Sequence, residues 1–273
     1  MEINSIAKRL LFSTVRVDTV LEDGSQGTGT AFVFDCMHNG KPHSFVVTNR
    51  HLAENVRTGA LIFTRKRDGQ PMVGRGFRLD IEDFSQAWFY HPDASVDLAV
   101  LPLRPLEAHI REQGGEIFYQ AIDGRLIPDG ATVTNLDALE QVIFVGYPSG
   151  VWDKANLMPI LRRGTTATPV FLDFEARPEF LVDAAVYPGS SGSPVFLYDS
   201  DTIAQRGAAR RFLFLGVVAA VFFKEESNHL VSAPIPASQQ TAVYSSEMID
   251  LGLVIKSSQV RAAAEAYLRE AGL

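Results

Sequence analysis

The sequence has very little cysteine. A single residue, Cys36, stands among 273, so no disulfide can form within the chain and no set of thiols exists to hold zinc or an iron–sulfur cluster. The 6 histidines form no His-x-x-x-His or Glu-containing pair of the kind that binds metal. We therefore expect a fold stabilised by packing alone, with no metal and no other cofactor.

Long hydrophobic runs are also missing. A membrane-spanning helix needs roughly 18 or more uninterrupted apolar residues, and the longest apolar run, Phe212 to Phe223, contains Gly216 and has the length of a strand. Residues 1–30 show neither a long apolar stretch nor a small-residue cleavage site, as an export signal would. These observations predict a soluble, cytoplasmic protein that does not bind a membrane.

The charge balance is slightly acidic. The 25 basic residues are outnumbered by 32 acidic ones, which gives a net charge of -7 and argues against a nucleic-acid partner, because binding to the phosphate backbone is largely electrostatic. With 46% hydrophobic residues, a chain of this length can bury a large core, which excludes intrinsic disorder. The length fits one or two compact units.

Short runs rich in Val, Ile, Thr and Phe, separated by turn residues, predict a mostly β chain. The pattern indicates 13 strands, the first at Ser13–Leu21 and the last at Thr241–Ser245. A segment with little alternation, from Arg104 to Gly130, separates them into two groups and predicts two barrels in tandem. Helical spacing is clearest between Ser257 and Ala271, which we expect to dock on the body of the protein.

Two segments of the first half each contain a candidate catalytic residue. His51 follows the apolar run Val46–Thr48, and Asp97 opens the apolar run Leu98–Leu101. A carboxylate drawn toward a core needs a hydrogen-bond donor, such as an imidazole N–H. Alone, such a histidine is more often structural and such an aspartate an ordinary turn residue, and Asp93 is a rival for the same role.

A third segment contains a serine between glycines. Gly189 lies two residues before Ser191 and Gly192 directly follows it, so the backbone can take a tight turn whose N–H groups point at one spot, as an oxyanion hole requires. Alone, the run Gly189–Pro194 reads equally well as a polar loop. The three segments together favour nucleophilic catalysis by a serine, with histidine as its base.

With these motifs in the order His, Asp, Ser, the chain resembles the chymotrypsin-like serine proteases, especially the HtrA-type and related disulfide-free bacterial trypsin-like peptidases. The resemblance spans roughly residues 12 to 250. It rests on Gly27-Thr28-Gly29-Thr30-Ala31-Phe32, Thr48-Asn49-Arg50-His51, Asp97-Leu98-Ala99-Val100-Leu101, Phe144-Val145-Gly146-Tyr147-Pro148, Asp183-Ala184-Ala185 and Pro188-Gly189-Ser190-Ser191-Gly192-Ser193-Pro194.

The resemblance implies an all-β fold of two six-stranded antiparallel Greek-key barrels, of the chymotrypsin-like kind, with a C-terminal helix. Residues 1–125 would form the barrel that carries His51 and Asp97, and residues 126–273 the barrel that carries Ser191 and ends in a helix at about 257–271. Too few residues follow the last strand for the PDZ domain of HtrA proteins.

The resemblance also implies a role for each site residue. Ser191 would be the acyl-forming nucleophile, His51 the general base and then acid, and Asp97 the residue that orients His51. Backbone N–H groups of Gly189 and Ser191, with Ser190 between them, would form the oxyanion hole. Trypsin has an aspartate just before its nucleophile, which meets a newly cut N-terminus. Ser190 stands there in this chain, so we expect no zymogen cleavage.

Cleavage specificity is also implied by the resemblance. Ala185 occupies the base of the primary specificity pocket, where a preference for Lys or Arg would need a carboxylate. The strand around Leu215–Val221 would wall the pocket, through Ala219, Ala220 and Val221. We therefore expect a serine endopeptidase that cleaves proteins or peptides after small or aliphatic residues.

Two other interpretations remain open at this point. An α/β-hydrolase esterase requires a Gly-x-Ser-x-Gly elbow and the order Ser, acid, His, whereas here Ser193 holds the second glycine position and the only later histidine is His229. A catalytically silent binding protein could keep the protease fold as a scaffold, because fold alone does not imply activity. A regulatory protein partner that switches the loop Tyr187–Ser191 is a further hypothesis.

Overall fold

A computed structural model describes residues 2–148, 151–198, 212–229 and 242–273. The described residues are mostly β, as the sequence predicts. The strands are β1 (Thr14–Leu21), β2 (Gln26–His38), β3 (Lys41–Thr48), β4 (Val56–Arg67), β5 (Gln70–Ile81), β6 (Phe89–Tyr90), β7 (Ala99–Pro102), β8 (Ile117–Phe118), β9 (Ile122–Asp123), β10 (Gln141–Gly146), β11 (Ile160–Thr166), β12 (Glu179–Asp183), β13 (Pro194–Tyr198), β14 (Phe212–His229) and β15 (Ala242–Lys256). The helices are α1 (Ile6–Leu10), α2 (Phe84–Ala87), α3 (Leu103–Glu112), α4 (Gly130–Thr134) and α5 (Ser257–Glu270).

The first half of the chain forms one 9-stranded sheet in the order β5-β4-β1-β2-β3-β7-β6, with β8 paired to β4 and β9 to β2. Two hairpins in it turn at Asn39-Gly40 and Asp68-Gly69, where all four residues have positive φ. Such Asn-Gly and Asp-Gly pairs favour the two-residue turns that match the twist of the flanking strands. The six longer strands of this half, β1 to β5 and β7, match the predicted number, and three two-residue strands, β6, β8 and β9, add to the pairing.

The second half forms a closed barrel of six strands, β10-β11-β12-β15-β14-β13, with antiparallel pairing throughout. This matches the strand count predicted for that half. Alternate residues of each strand face the interior of the barrel, and the buried ones among them are apolar. Among the fully buried side chains of this core are Phe144, Phe180, Val195 and Val254.

A separate apolar cluster joins the two halves. It combines Phe32 and Phe34 of β2 with Phe196 of β13 and Phe214 of β14, and α5 adds a stripe of buried residues to it. This confirms the predicted C-terminal helix, although β15 runs directly into it and Lys256 precedes its first residue without a side-chain cap. The predicted division at residues 125/126 stays a prediction. None of the helices in the described part of the chain combines the length and the apolar composition needed to cross a membrane.

Replacing Phe214 tests the importance of this joint cluster. Phe214 is fully buried, and its ring contacts those of Phe32, Phe34 and Phe196. We expect Phe214→Ala to lower the free energy of unfolding by about 3 to 5 kcal/mol, because the lost ring leaves a cavity. Urea unfolding would measure the loss. The matched control is Phe171→Ala, whose side chain is 40% exposed and should change stability by less than about 0.5 kcal/mol; equal effects of the two substitutions would contradict the assignment.

Candidate active site

The register of β3 against β7 brings His51 and Asp97 together. Thr48, the last residue of β3, pairs with Ala99, the first residue of β7. In an antiparallel pair, the chain that leaves one strand and the chain that enters the other lie at the same edge. His51 follows in a short 3-10 turn, Arg50–Leu52, and the buried Asn49 donates its side-chain N–H to the backbone oxygen of Asp97 at 2.9 Å.

Both carboxylate oxygens of Asp97 bind His51. The Oδ1 atom accepts the backbone N–H of His51 at 2.9 Å, and Oδ2 lies 2.6 Å from the ring Nδ1. An ionised carboxylate only accepts hydrogen bonds, so Nδ1 carries the proton and the neutral ring keeps a lone pair on Nε2. The His51 side chain is 46% exposed, so a base at Nε2 is accessible from the surface.

The rival residue, Asp93, has a different role. Its Oδ1 accepts the backbone N–H of Ser95 at 2.9 Å and the Ser95 hydroxyl at 2.7 Å, and these bonds lower the pKa of the exposed Asp93 carboxyl. It closes the turn before β7 rather than contacting His51. The interpretation of Asp93 as a turn residue agrees with this geometry.

Ser191 lies in the loop between β12 and β13, just after a tight turn. Residues Tyr187–Ser190 form a type II turn, closed by the Ser190 N–H and the Tyr187 oxygen at 3.0 Å, with Pro188 second and Gly189 third at φ +83°. The N–H of Ser190 is used in this turn, but those of Gly189 and Ser191 donate to no acceptor among the described residues. Two neighbouring donors are therefore available for a ligand.

Thr30 of β2 fastens this loop to the first half. Its backbone N–H donates to the Ser191 oxygen at 2.9 Å, and its hydroxyl donates to the Gly189 oxygen at 3.2 Å. The Thr48 hydroxyl in turn donates to the Thr30 oxygen at 2.7 Å. Thr48 ends the strand that leads to His51. The histidine segment and the serine segment are therefore both hydrogen-bonded to Thr30 of β2.

The Ser191 hydroxyl is directed at β14. It is half-buried and donates to the backbone oxygen of Ala219 on β14 at 3.4 Å. Within the described ranges, no hydrogen bond joins this hydroxyl to His51. The structure thus joins His51 and Asp97 by direct hydrogen bonds. It places Ser191 on a loop that is hydrogen-bonded to Thr30 of β2.

The predicted substrate-binding residues lie around this loop. Ala219 is buried, Ala220 exposed and Val221 half-buried on β14, where the pairing with β15 shifts register between Val218 and Ala220. A bulge of this kind redirects the strand and frees backbone groups for other partners. The Ala185 side chain is exposed, just past the end of β12.

Two residues at the site were not assigned a role from the sequence. Thr30 stands in the Gly-Thr-Gly-Thr motif, but only the packed structure shows that it joins both segments. Arg162 of β11 donates from its guanidinium to the Ala185 backbone oxygen and to the Ser190 hydroxyl, under the turn before Ser191. The sequence gives only a weak signal for Thr30 and Arg162, because the hydrogen bonds that define their roles join residues more than 20 positions apart.

Comparisons with known proteins identify the family and the fold of this chain. The family described as "Trypsin-like peptidase domain" matches residues 29–204. The active form of the Rv3671c protease from M. tuberculosis is similar in structure, with a TM-score of 0.50 and 16% identity over 96% of this chain and 83% of that one. A serine endoprotease from Yersinia pestis also has a TM-score of 0.50, with 12% identity over 99% of this chain and 68% of its own. Identities this low show the fold alone. A comparison with curated proteins found no match.

Replacing Gly192 tests how tightly the Ser191 loop is docked. Gly192 has φ +82°, and a Cβ there would lie 1.8 Å from the Thr30 oxygen and 2.8 Å from the Thr48 hydroxyl. We expect Gly192→Ala to lower the free energy of unfolding by about 3 kcal/mol, from overpacking and backbone strain, as measured by urea unfolding. Gly130→Ala is the control, because its Cβ would meet nothing within 4 Å. A Gly192→Ala protein as stable as this control would show that the loop is not docked in this way.

Proposed function

Because the chain belongs to the trypsin-like peptidase family, and so to the serine peptidases, we propose that His51, Asp97 and Ser191 are its catalytic triad. The observation that supports this most directly is the pair of hydrogen bonds between Asp97 and His51, at 2.9 and 2.6 Å. In addition, the N–H groups of Gly189 and Ser191 have no acceptor among the described residues. Proteins or peptides would be the substrates, and their hydrolysis would proceed through an acyl-enzyme.

In the proposed reaction, Nε2 of His51 removes the proton of the Ser191 hydroxyl while Oγ attacks the carbonyl carbon of the substrate. For this step the hydroxyl turns from the Ala219 oxygen toward His51; catalytic hydrogen bonds are often long or misaligned before substrate binds. The carbonyl oxygen becomes an anion, which the N–H groups of Gly189 and Ser191 stabilise. His51 then gives its proton to the leaving amine as the C–N bond breaks, which leaves the acyl group on Ser191. A water molecule next gives a proton to His51 and attacks the acyl carbon, and His51 returns the proton to the Ser191 oxygen as the ester bond breaks.

Asp97 has two tasks in this scheme. Its bond to Nδ1 holds the ring in the tautomer whose Nε2 accepts a proton, and its charge stabilises the imidazolium that forms. Its second bond, to the His51 backbone, and the bond from Asn49 to its own backbone fix the position of the carboxylate. Positioning of this kind matters, because small misplacements of reacting groups cost large factors in rate.

Labelling with a fluorophosphonate probe tests the triad. We expect the wild-type chain to be modified at Ser191, and Ser191→Ala and His51→Ala to lose labelling and casein hydrolysis by about ten-thousand-fold, because each removes a member of the triad. Mass spectrometry would identify the labelled residue. Ser25→Ala and His109→Ala, both at exposed positions, are the matched controls and should label like the wild type.

The two aspartates provide a second comparison in the same assay. Asp97→Asn should reduce turnover about ten-thousand-fold by favouring the wrong tautomer of His51, whereas Asp93→Asn should leave it unchanged. A wild-type chain that folds but neither labels nor hydrolyses casein would instead support a silent binding protein with the protease fold.

We also propose a specificity for small or aliphatic residues on the amino side of the cut bond. Its support is the methyl side chain of Ala185, after β12, and the apolar Ala219 and Val221 on β14. A regulatory protein partner and a cytoplasmic location stay predictions from the sequence.

A peptide library would measure this preference. The wild-type chain should prefer Ala, Val or Leu before the cut, and Ala185→Asp should raise kcat/KM for Arg and Lys relative to Val, because a carboxylate there would attract a cationic substrate side chain. Ala185→Asn is the control, with nearly the same shape and no charge. Strict cleavage after Arg by the wild-type chain would refute the proposed preference.

A further inference from the structure

Arg162 extends from β11 beneath the turn that precedes Ser191. Its strand position pairs with Phe144 of β10. One end of the guanidinium, Nη1, donates to the backbone oxygen of Ala185, and the other, Nη2, donates to the hydroxyl of Ser190. Arg162 therefore ties together the two ends of the segment 185–190 that leads to the proposed oxyanion hole.

The surroundings of this guanidinium are unusual for a cation. Its Cζ lies 4.6 Å from the ring centre of Phe144 and 5.8 Å from that of Tyr187, while its Nε is buried without a hydrogen-bond partner in the described part of the chain. Burial lowers the pKa of Arg162 to about 10, so the group stays charged at neutral pH. Its hydrogen-bond acceptors are neutral oxygens, and a partly buried cation held by neutral oxygens costs stability. A role beyond stability is therefore the better explanation.

The Ser190 side chain connects this cation to the turn. Ser190 is fully buried, and its Oγ also accepts the backbone N–H of Tyr187 at 3.3 Å. The Ser190 hydroxyl thus receives one donor from the start of the turn and one from Arg162. Movement of Ser190 would swing the central peptide of the turn, to which the Gly189 N–H belongs.

We propose that Arg162 is a positioning residue that holds the Tyr187–Ser190 turn in the conformation in which the Gly189 and Ser191 N–H groups face the substrate. The inference rests on the proposed peptidase function. Trypsin has an aspartate at the position of Ser190, and that aspartate meets a newly cut N-terminus. Here the cation comes from a strand of the same barrel and its partner is a hydroxyl, so the turn can be held without cleavage of the chain.

The variant that tests the proposal is Arg162→Met, which keeps an unbranched apolar side chain and removes all the donors of the guanidinium. We expect kcat for casein-derived peptides to fall about a hundredfold, because misplaced oxyanion donors no longer stabilise the transition state, while KM stays near its wild-type value. Active-site titration with the fluorophosphonate probe gives kcat per competent molecule. A purely structural role would lower the number of competent molecules and leave the kcat of each unchanged.

Three further proteins complete the experiment. Arg163→Met is the matched control, since Arg163 is the exposed neighbour on the same strand, and it should behave as the wild type. Ser190→Ala removes the acceptor and should lower kcat in the same direction; it decides the question if Arg162→Met does not fold. The double variant should lose little more than Arg162→Met alone, because the contact between the two side chains is already lost in that single variant.

The possible outcomes separate the two proposals. A wild-type chain that never reacts with the probe would overturn the peptidase function itself. An active wild-type chain with unchanged kcat in both Arg162→Met and Ser190→Ala would overturn the role of Arg162 alone. Additive losses in the double variant would also count against it, since they would show that Arg162 does not act through Ser190.

Discussion

The geometry of this site depends on one buried residue, Thr30. Its backbone oxygen accepts the Thr48 hydroxyl beside the histidine segment, its N–H donates to Ser191, and its hydroxyl serves both Gly189 and the N–H of Tyr147. Each half of the chain thus makes hydrogen bonds to the same threonine. Because Thr30 is completely buried, water does not compete for these bonds, and the loss of any one of them would leave an unpaired polar group.

Close packing reinforces this constraint. Glycine at 192 lets the loop backbone approach Thr30, and glycine at 29 leaves room for Leu52, next to His51. The serine and histidine segments therefore lie against adjacent residues of one strand. Their relative position is set by the backbone of β2 and by the short, buried side chains of Thr30 and Thr48, which is the kind of support that catalytic constellations require.

Much of this arrangement can be predicted from the sequence because its signals are local. The alternation of apolar and polar residues predicts most of the strands. His51, Asp97 and Ser191 lie in short motifs that also contain the residues that favour the local turns. The sequence predicts the last strand at Thr241–Ser245, whereas the strand continues to Lys256. Thr241 lies outside the described residues. The polar residues Ser246, Glu247 and Asp250 interrupt the apolar pattern and hide the continuation. The sequence pattern predicts a strand at Trp88–His91, where the short β6 lies, but β8 and β9 have no pattern of their own and are defined only by their pairing with β4 and β2.

The role of Arg162 could not be predicted for a related reason. Arg162 and Arg163 are adjacent and chemically identical, and only the pairing of β11 decides which of them faces the Ser191 loop. The same holds for Thr30, whose neighbours in space come from three distant segments. Registers between strands far apart in sequence carry this information, and single-sequence patterns do not encode them.

The position of α5 affects the order of events during synthesis. Val260 and Ala264 of this helix belong to the same buried cluster as Val217 and Ala219, and the Ala219 carbonyl accepts the Ser191 hydroxyl. A nascent chain that still lacks residues beyond 256 contains His51, Asp97 and Ser191 but leaves one side of that cluster exposed to water. Completion of this part of the core therefore depends on the last helix of the described chain, which lies far in sequence from the strands that it covers.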